Sequence, residues 1–185
     1  MEAVPADPAE LAESLLRDDA RRRLHVQSVG LLAEKSFGTD KDLDSVVAAA
    51  WLHDIGYASE LRVTGFHPLD GANYLRGQGF DEEIVTLVAH HTGAMFEAEE
   101  RGLEGYLLDF PMPPDDQLDA LNYLDLSTGP DGSRLKPHDR VTEILSRYPE
   151  ENAVHRAVTR SRATLIYSAS RGKAIANRCT GARRS

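Results

Sequence analysis

The sequence predicts an all-α helical bundle, and three observations carry that expectation. Apolar residues recur at helical spacing through most of the chain. Asp, Gly and Pro punctuate those stretches at helix-length intervals. No alternating run of β-branched residues is long enough to form a strand.

Taken in order, Asp18 or Asp19 caps a helix through Arg21–Lys35 with Leu24, Val26, Leu31, Leu32 and Phe37 as its apolar positions, and Gly38 ends it. Asp42 or Asp44 caps the next, Ser45–His53, which is apolar almost all round and therefore buried. Pro68 suits the first turn of a helix Leu69–Arg76, stopped by Gly77 and Gly79. Asp81 caps Glu82–His91, where Ile84, Val85, Leu87 and Val88 face a core and Gly93 closes the element. An amphipathic stretch covers about Phe96–Leu108, and Phe110-Pro111-Met112-Pro113-Pro114 must be extended. Helices Gln117–Leu126, Pro137 to about Tyr148 and Asn152–Ser170 complete the bundle. The expected organisation is one domain over residues 1–170, with its core at about 20–130, C-terminal helices at 137–170 and a disordered basic tail at 171–185.

A chain of 185 residues can bury a continuous core and a site within it. The acidic N-terminus lacks the pattern of a signal peptide, and no apolar run approaches the roughly 18 residues that span a bilayer. Cys179 alone permits no internal disulfide, so a cytoplasmic location is expected. All 30 acidic residues but only 13 of the 21 basic ones fall within the first 151 positions, giving −17 there and +8 afterwards. The arginines after residue 151 are spread out without aromatic interleaving. This favours a basic helix packed on an acidic body over a nucleic-acid tail.

The chemistry lies in an ordered set of histidines and aspartates: His25, His53-Asp54, His67, His90-His91 and Asp125. Imidazole with carboxylate suits Fe, Mn, Zn, Co or Ni, and such ions make hydroxide from water near neutral pH. These residues fall at the ends or middles of separate helices, from which side chains converge in a bundle. His53 and Asp54 are neighbours and would diverge by roughly 100° on a regular helix, so both reach one site only if the helix ends there, as Gly56 indicates. Two titratable groups ending an apolar helix cost several kcal/mol unless paired or coordinated. Asp54 has two oxygens and is the natural bridge if two ions bind. His138 and His155 lie among polar residues and read as solvated.

In this order the residues resemble the HD superfamily of metal-dependent phosphohydrolases, over roughly residues 20–130. The segments His53-Asp54-Ile55-Gly56, His67-Pro68-Leu69-Asp70-Gly71-Ala72 and His90-His91-Thr92-Gly93 are similar to its dinuclear subset, which includes the HD-type diadenosine tetraphosphate hydrolases. The resemblance implies an HD-domain helical bundle. One metal would be held by His25, His53, Asp54 and Asp125. A second would be held by Asp54, His67 and His91 or His90, with His91 aligning best. Asp54 and His53 are the expected catalytic pair, and a phosphate ester or anhydride of nucleotide type is the expected small-molecule substrate. Two positions depart from relatives. Tyr57 stands where many carry Lys, and Thr92-Gly93-Ala94-Met95 replaces the Gly-Tyr-Pro element of cyclic di-GMP phosphodiesterases, arguing against that substrate.

An anionic substrate needs local positive charge, for which Arg62, Arg134 and Lys136 are the candidates, and Ser127-Thr128-Gly129 could add hydroxyl and backbone donors. Two other readings share the ligand pattern: a mixed-valent di-iron oxygenase and an inactive HD ligand-binding module. The expected partners are a phosphorylated small molecule and no membrane, with nucleic acid disfavoured and a homodimer allowed.

Overall fold

The computed structural model describes residues 7–181. The chain is predominantly helical in this region, and its only β pairing among the described residues is an isolated bridge between Thr128 and Arg134. Helix α1 (Pro8–Leu15) starts behind the Asp7 side chain, which accepts from the amides of Ala9 and Glu10. Helix α2 (Ala20–Phe37) starts at Asp19, which accepts from the Arg22 amide at 2.9 Å, and ends at Gly38. Helix α3 (Asp44–Leu52) is preceded by a 3-10 turn at Lys41–Leu43. No side chain caps it, so Asp42 and Asp44 do not play the expected role. Helices α4 (His67–Gly77) and α5 (Glu82–His90) follow, with Pro68 in the first turn of α4.

The stretch expected to run from Phe96 to Leu108 is two helices, α6 (Ala94–Arg101) and α7 (Glu104–Leu107). Gly102 interrupts it by adopting a left-handed φ of 67°, which ends α6 in a tight cap. After the extended Pro111–Pro114 segment come α8 (Asp115–Leu126), α9 (Pro137–Arg147) and α10 (Ala153–Gly181).

Helix α3 forms the centre. Val46, Ala49 and Leu52 are fully buried, and α1, α2, α5 and α8 pack around it. In α2 the structure corrects the apolar face. Val26, Val29 and Phe37 are buried, but Leu24 and Leu31 are about half exposed.

Helix α10 also departs from expectation, because it continues beyond Ser170 to Gly181 and residues 171–181 are no loose tail. Gly172, Ile175 and Ala176 continue its inward face. A Cβ at Gly172 would lie 2.0 Å from the Asp119 carbonyl, so the missing side chain lets α10 approach α8 closely. Small residues carry that face, which is why hydrophobic periodicity did not reveal it. The basic helix packs on acidic partners: Arg156 meets Glu100, Arg160 meets both Glu99 and Glu100, and Arg171 meets Asp119. Residues 1–6 and 182–185, including the acidic N-terminus and the last two arginines, lie outside the described residues. No described helix is long and apolar enough to cross a membrane.

Candidate metal centre

Helix α3 ends at Leu52. His53 caps it, and Asp54 leaves helical geometry (φ −106°, ψ 5°) before a 3-10 turn at Ile55–Tyr57. This break lets two adjacent side chains serve one site. Gly56 makes the turn possible against α4, since a Cβ there would sit 2.0 Å from the His67 carbonyl. The same contact presses the start of α4, and with it His67, towards Asp54.

Two groups form around Asp54. His25 and His53 bring their Nε2 atoms to 3.3 Å from each other, and to 3.9 and 3.6 Å from Asp54 Oδ2. Asp125 Oδ1 lies 3.0 Å from His25 Nε2 and 4.0 Å from His53 Nε2. On the other side, the His67 and His91 Nε2 atoms are 3.3 Å apart, and 3.3 and 3.9 Å from Asp54 Oδ1. Each Asp54 oxygen therefore faces one pair of imidazoles, and both groups have the spacing of metal ligands.

The protons decide what such a cluster needs. His25 Nδ1 donates to the Gly129 carbonyl, His53 Nδ1 to the Ala50 carbonyl, and His91 Nδ1 to the Val88 carbonyl, at 3.0, 2.9 and 2.7 Å. A carbonyl only accepts, so each ring carries its proton on Nδ1 and turns a lone pair inward at Nε2. Burial lowers the pKa of His53. Burial, with His53 and His67 nearby, pushes His91 down to about 3. Lone pairs and carboxylate oxygens thus converge with too few protons between them, and the missing partner is a cation. Arg22 Nη1 neutralises one Asp54 oxygen at 2.6 Å but leaves the other oxygen and the imidazole pairs facing each other. The residues fit a divalent metal.

Burial works against ionising Asp54, yet Arg22, His53 and His67 outweigh it and hold the carboxyl well below its ordinary range. Asp125 is lowered in the same way against its burial, with His25 the foremost of the groups beside it. A pH dependence follows. Below its ordinary value of 6.5, His91 takes up a proton in the unfolded chain but not in the folded one until pH nears 3, and His53 shifts in the same direction. The unfolded state then binds more protons, so stability falls as pH drops through that window. The depressed carboxylates add stability above their unfolded range and lose it at lower pH. The urea midpoint of metal-stripped protein should be lower at pH 5 than at pH 7.5, and equal midpoints would contradict this electrostatic picture.

Neighbouring residues hold the cluster in place. Tyr57 stacks on His67 with centroids 4.0 Å apart, and the Arg22 guanidinium lies 3.8 Å from the Tyr57 ring centre. The Thr92 hydroxyl donates to Asp125 Oδ2. Asp70 is buried and accepts from the amides of Val63, Thr64 and Gly65, fixing the loop before α4.

Several expected residues lie elsewhere. His90 is not in the cluster; its Nε2 donates to the Phe110 carbonyl at 2.8 Å, and it lines a different cavity. Arg62 is exposed and bonds the Tyr57 carbonyl, while Arg134 and Lys136 are exposed and do not line the cleft. Ser127 and Thr128 are buried, the Thr128 hydroxyl is spent on the Leu124 carbonyl, and Gly129 offers His25 an acceptor instead of a donor. His138 is exposed, whereas His155 is half-buried and donates to the Tyr148 carbonyl. The cations that do line the cleft are Arg22, Arg140 and Arg147. Arg22 was legible as the residue one helical turn before His25. Arg140 and Arg147 reach the cleft through the packing of α9, and no local pattern marks them.

Comparison with known proteins agrees with this geometry. A tRNA (cytidine(56)-2'-O)-methyltransferase of Thermoplasma volcanium is 38% identical over 92 residues, 49% of this chain and 25% of that protein. The uncharacterized protein MJ0778 of Methanocaldococcus jannaschii is 35% identical over 88 residues, 47% of each chain. The chain thus matches half or less of the length of these relatives. No solved structure matches. The HD domain family matches residues 21–125, more than half of the chain and the whole span from His25 to Asp125, and the chain belongs to that family.

Proposed function

We propose that the protein is a metal-dependent phosphohydrolase, cleaving a phosphate ester or anhydride of a nucleotide-type small molecule at a dinuclear centre. The observation that carries this is the set of inward lone pairs and carboxylates split between the two oxygens of Asp54, opening into a cleft whose cationic residues are arginines. In this reading the first ion is held by His25, His53, Asp54 and Asp125, and the second by Asp54, His67 and His91. Divalent ions bound by these residues would supply Lewis acidity, a nucleophile from water near neutral pH and charge to offset phosphate oxygens.

The chain's own groups do the rest. Arg140 lines the cleft and brings a guanidinium suited to charge-assisted contact with a phosphate oxygen. Arg147 lies beside it, and Glu143 pairs with both and holds them in register. Arg22 fixes Asp54, and Tyr57 keeps the His67 ring in orientation by stacking. Ile144, Tyr148, Val154 and Val158 line the cleft as well and offer apolar surface to the organic part of the substrate.

The test is phosphate release from nucleoside phosphates, dinucleoside polyphosphates and simple phosphomonoesters, with Mn, Fe, Co, Ni or Zn supplied. We expect turnover that stops on chelation. In Arg140→Ala the KM should rise at least about tenfold, as for loss of one charge-assisted contact, with metal content unchanged. No phosphate release from any of these substrates with any of the metals would overturn the proposal.

A further inference from the structure

Asp125 presents its two oxygens to different neighbours. Oδ1 lies 3.0 Å from His25 Nε2 in the first group of ligands, and Oδ2 accepts from the Thr92 hydroxyl. That bond fixes the rotation of the carboxylate only while Thr92 itself is held. Thr92 sits in the left-handed region (φ 46°), which is unfavourable for a β-branched residue and persists only where the surroundings impose it. Here Asn122 on α8 imposes it, because its Oδ1 accepts from the Thr92 amide at 2.6 Å. Asn122 is held in turn from α10. Its Nδ2 donates to Ser168 Oγ at 2.9 Å, Ser168 donates to Asp119 Oδ1 at 2.6 Å, and Asp119 Oδ2 accepts from Arg171.

The chemistry of these groups forces the direction of the chain. A carboxylate only accepts, so the Ser168 proton goes to Asp119 and the Ser168 oxygen is left to accept from Asn122. This turns Asn122 Oδ1 towards Thr92. Asn122, Ser168 and Asp119 are all buried, where a broken link leaves a polar group unpaired. Gly172 lets α10 approach α8 at Asp119 itself, which brings Ser168 and Arg171 within reach of that carboxylate.

We propose that Asn122 is a positioning residue for the metal centre: anchored on α10 by Ser168 and Asp119, it holds Thr92 and so aims Asp125 at the first group of ligands. Helix α10 lies outside the family match at residues 21–125, so a ligand at the edge of the matched span takes its orientation from an element beyond it. This role rests on the metal-centre reading above and adds to it the group that sets one ligand.

The test measures the Mn(II) affinity of the full chain in a His67→Ala background, which leaves the first group of ligands intact. Replacing an outer partner of a metal ligand costs about 10–100-fold in affinity. We expect Asn122→Ala and Thr92→Val each to weaken Mn(II) binding by about tenfold or more, and Ser168→Ala, one bond further from Asp125, to weaken it by a smaller factor. The double variant Asn122→Ala/Thr92→Val should bind no more weakly than the worse single variant, because both changes act through one route. Ile175→Ala, also on α10, should lower the urea midpoint but leave the affinity unchanged, which separates positioning from a general loss of stability. Unchanged affinity in Asn122→Ala, losses that add in the double variant, or an equal loss in Ile175→Ala would each overturn the proposal. If Asn122→Ala does not fold, unchanged affinity in Ser168→Ala overturns it. Either result, with Mn(II) still bound, removes the role of Asn122 and leaves the hydrolase reading standing. A His67→Ala chain that binds no Mn(II) would remove the first metal site and this proposal with it.

Discussion

Asp54→Ala should eliminate turnover and reduce bound metal from about two ions per chain to nearly none, because each of its oxygens faces a different imidazole pair. No other residue in the cluster touches both groups in this way. The substitution also strands Arg22, whose guanidinium is mostly buried against that carboxylate. Removing one partner of a buried ion pair costs on the order of 3–5 kcal/mol. The double variant Arg22→Leu/Asp54→Ala separates the two effects: stability should partly recover while metal binding and activity stay lost. Metal content read by elemental analysis decides the matter. An Asp54→Ala protein that keeps two ions and normal turnover would remove Asp54 from the centre.

Truncation ahead of α10 should have the largest effect on stability. Ending the chain at Asn152 strips Val158, Leu165 and Ala169 from the smaller core cluster and Ile175 and Ala176 from the main one. Each fully covered Val, Leu or Ile side chain contributes about 1.5–3 kcal/mol, so the losses together are comparable to the stability of about 5–15 kcal/mol usual for a domain. The truncated chain should fail to fold. A shorter deletion from Arg171 still removes Ile175 and the Gly172 crossing, and should lower the urea midpoint measurably. Equal midpoints for intact protein and the Arg171 deletion would show that the last turns of α10 add nothing.

Much of the fold was legible because several helices carried their own signals, although α1 was not anticipated. Asp19 and Gly38 bracket α2, Pro68 sits in the first turn of α4, and the apolar run before His53 is buried as its composition required. Boundaries set by backbone geometry were less visible. Gly102 could have lain within a continuous helix, and only its left-handed conformation separates α6 from α7. The end of α10 was hidden for a different reason. Apart from Ile175, its inward face there is made of Ser168, Ala169, Gly172 and Ala176, whose small side chains give little hydrophobic contrast.

In the site, the motif histidines that converge were marked by residue type and order, but the division between the adjacent His90 and His91 was not. It depends on the break after α5, which sends one ring to the cluster and the other to a separate cavity. The cationic groups were the least legible. Charge near the motifs in sequence suggested Arg62, Arg134 and Lys136, whereas proximity in space brings in Arg140 and Arg147 from α9, beyond the family match.

The central claim is that these inward lone pairs hold divalent metal, and anomalous diffraction from crystals of protein supplied with Mn or Fe tests it most directly. The account predicts two peaks, one among His25, His53, Asp54 and Asp125 and the other among Asp54, His67 and His91, with the second alone missing in His67→Ala. Crystals of metal-supplied protein with no peak at Asp54, or with the only peaks elsewhere on the molecule, would contradict it.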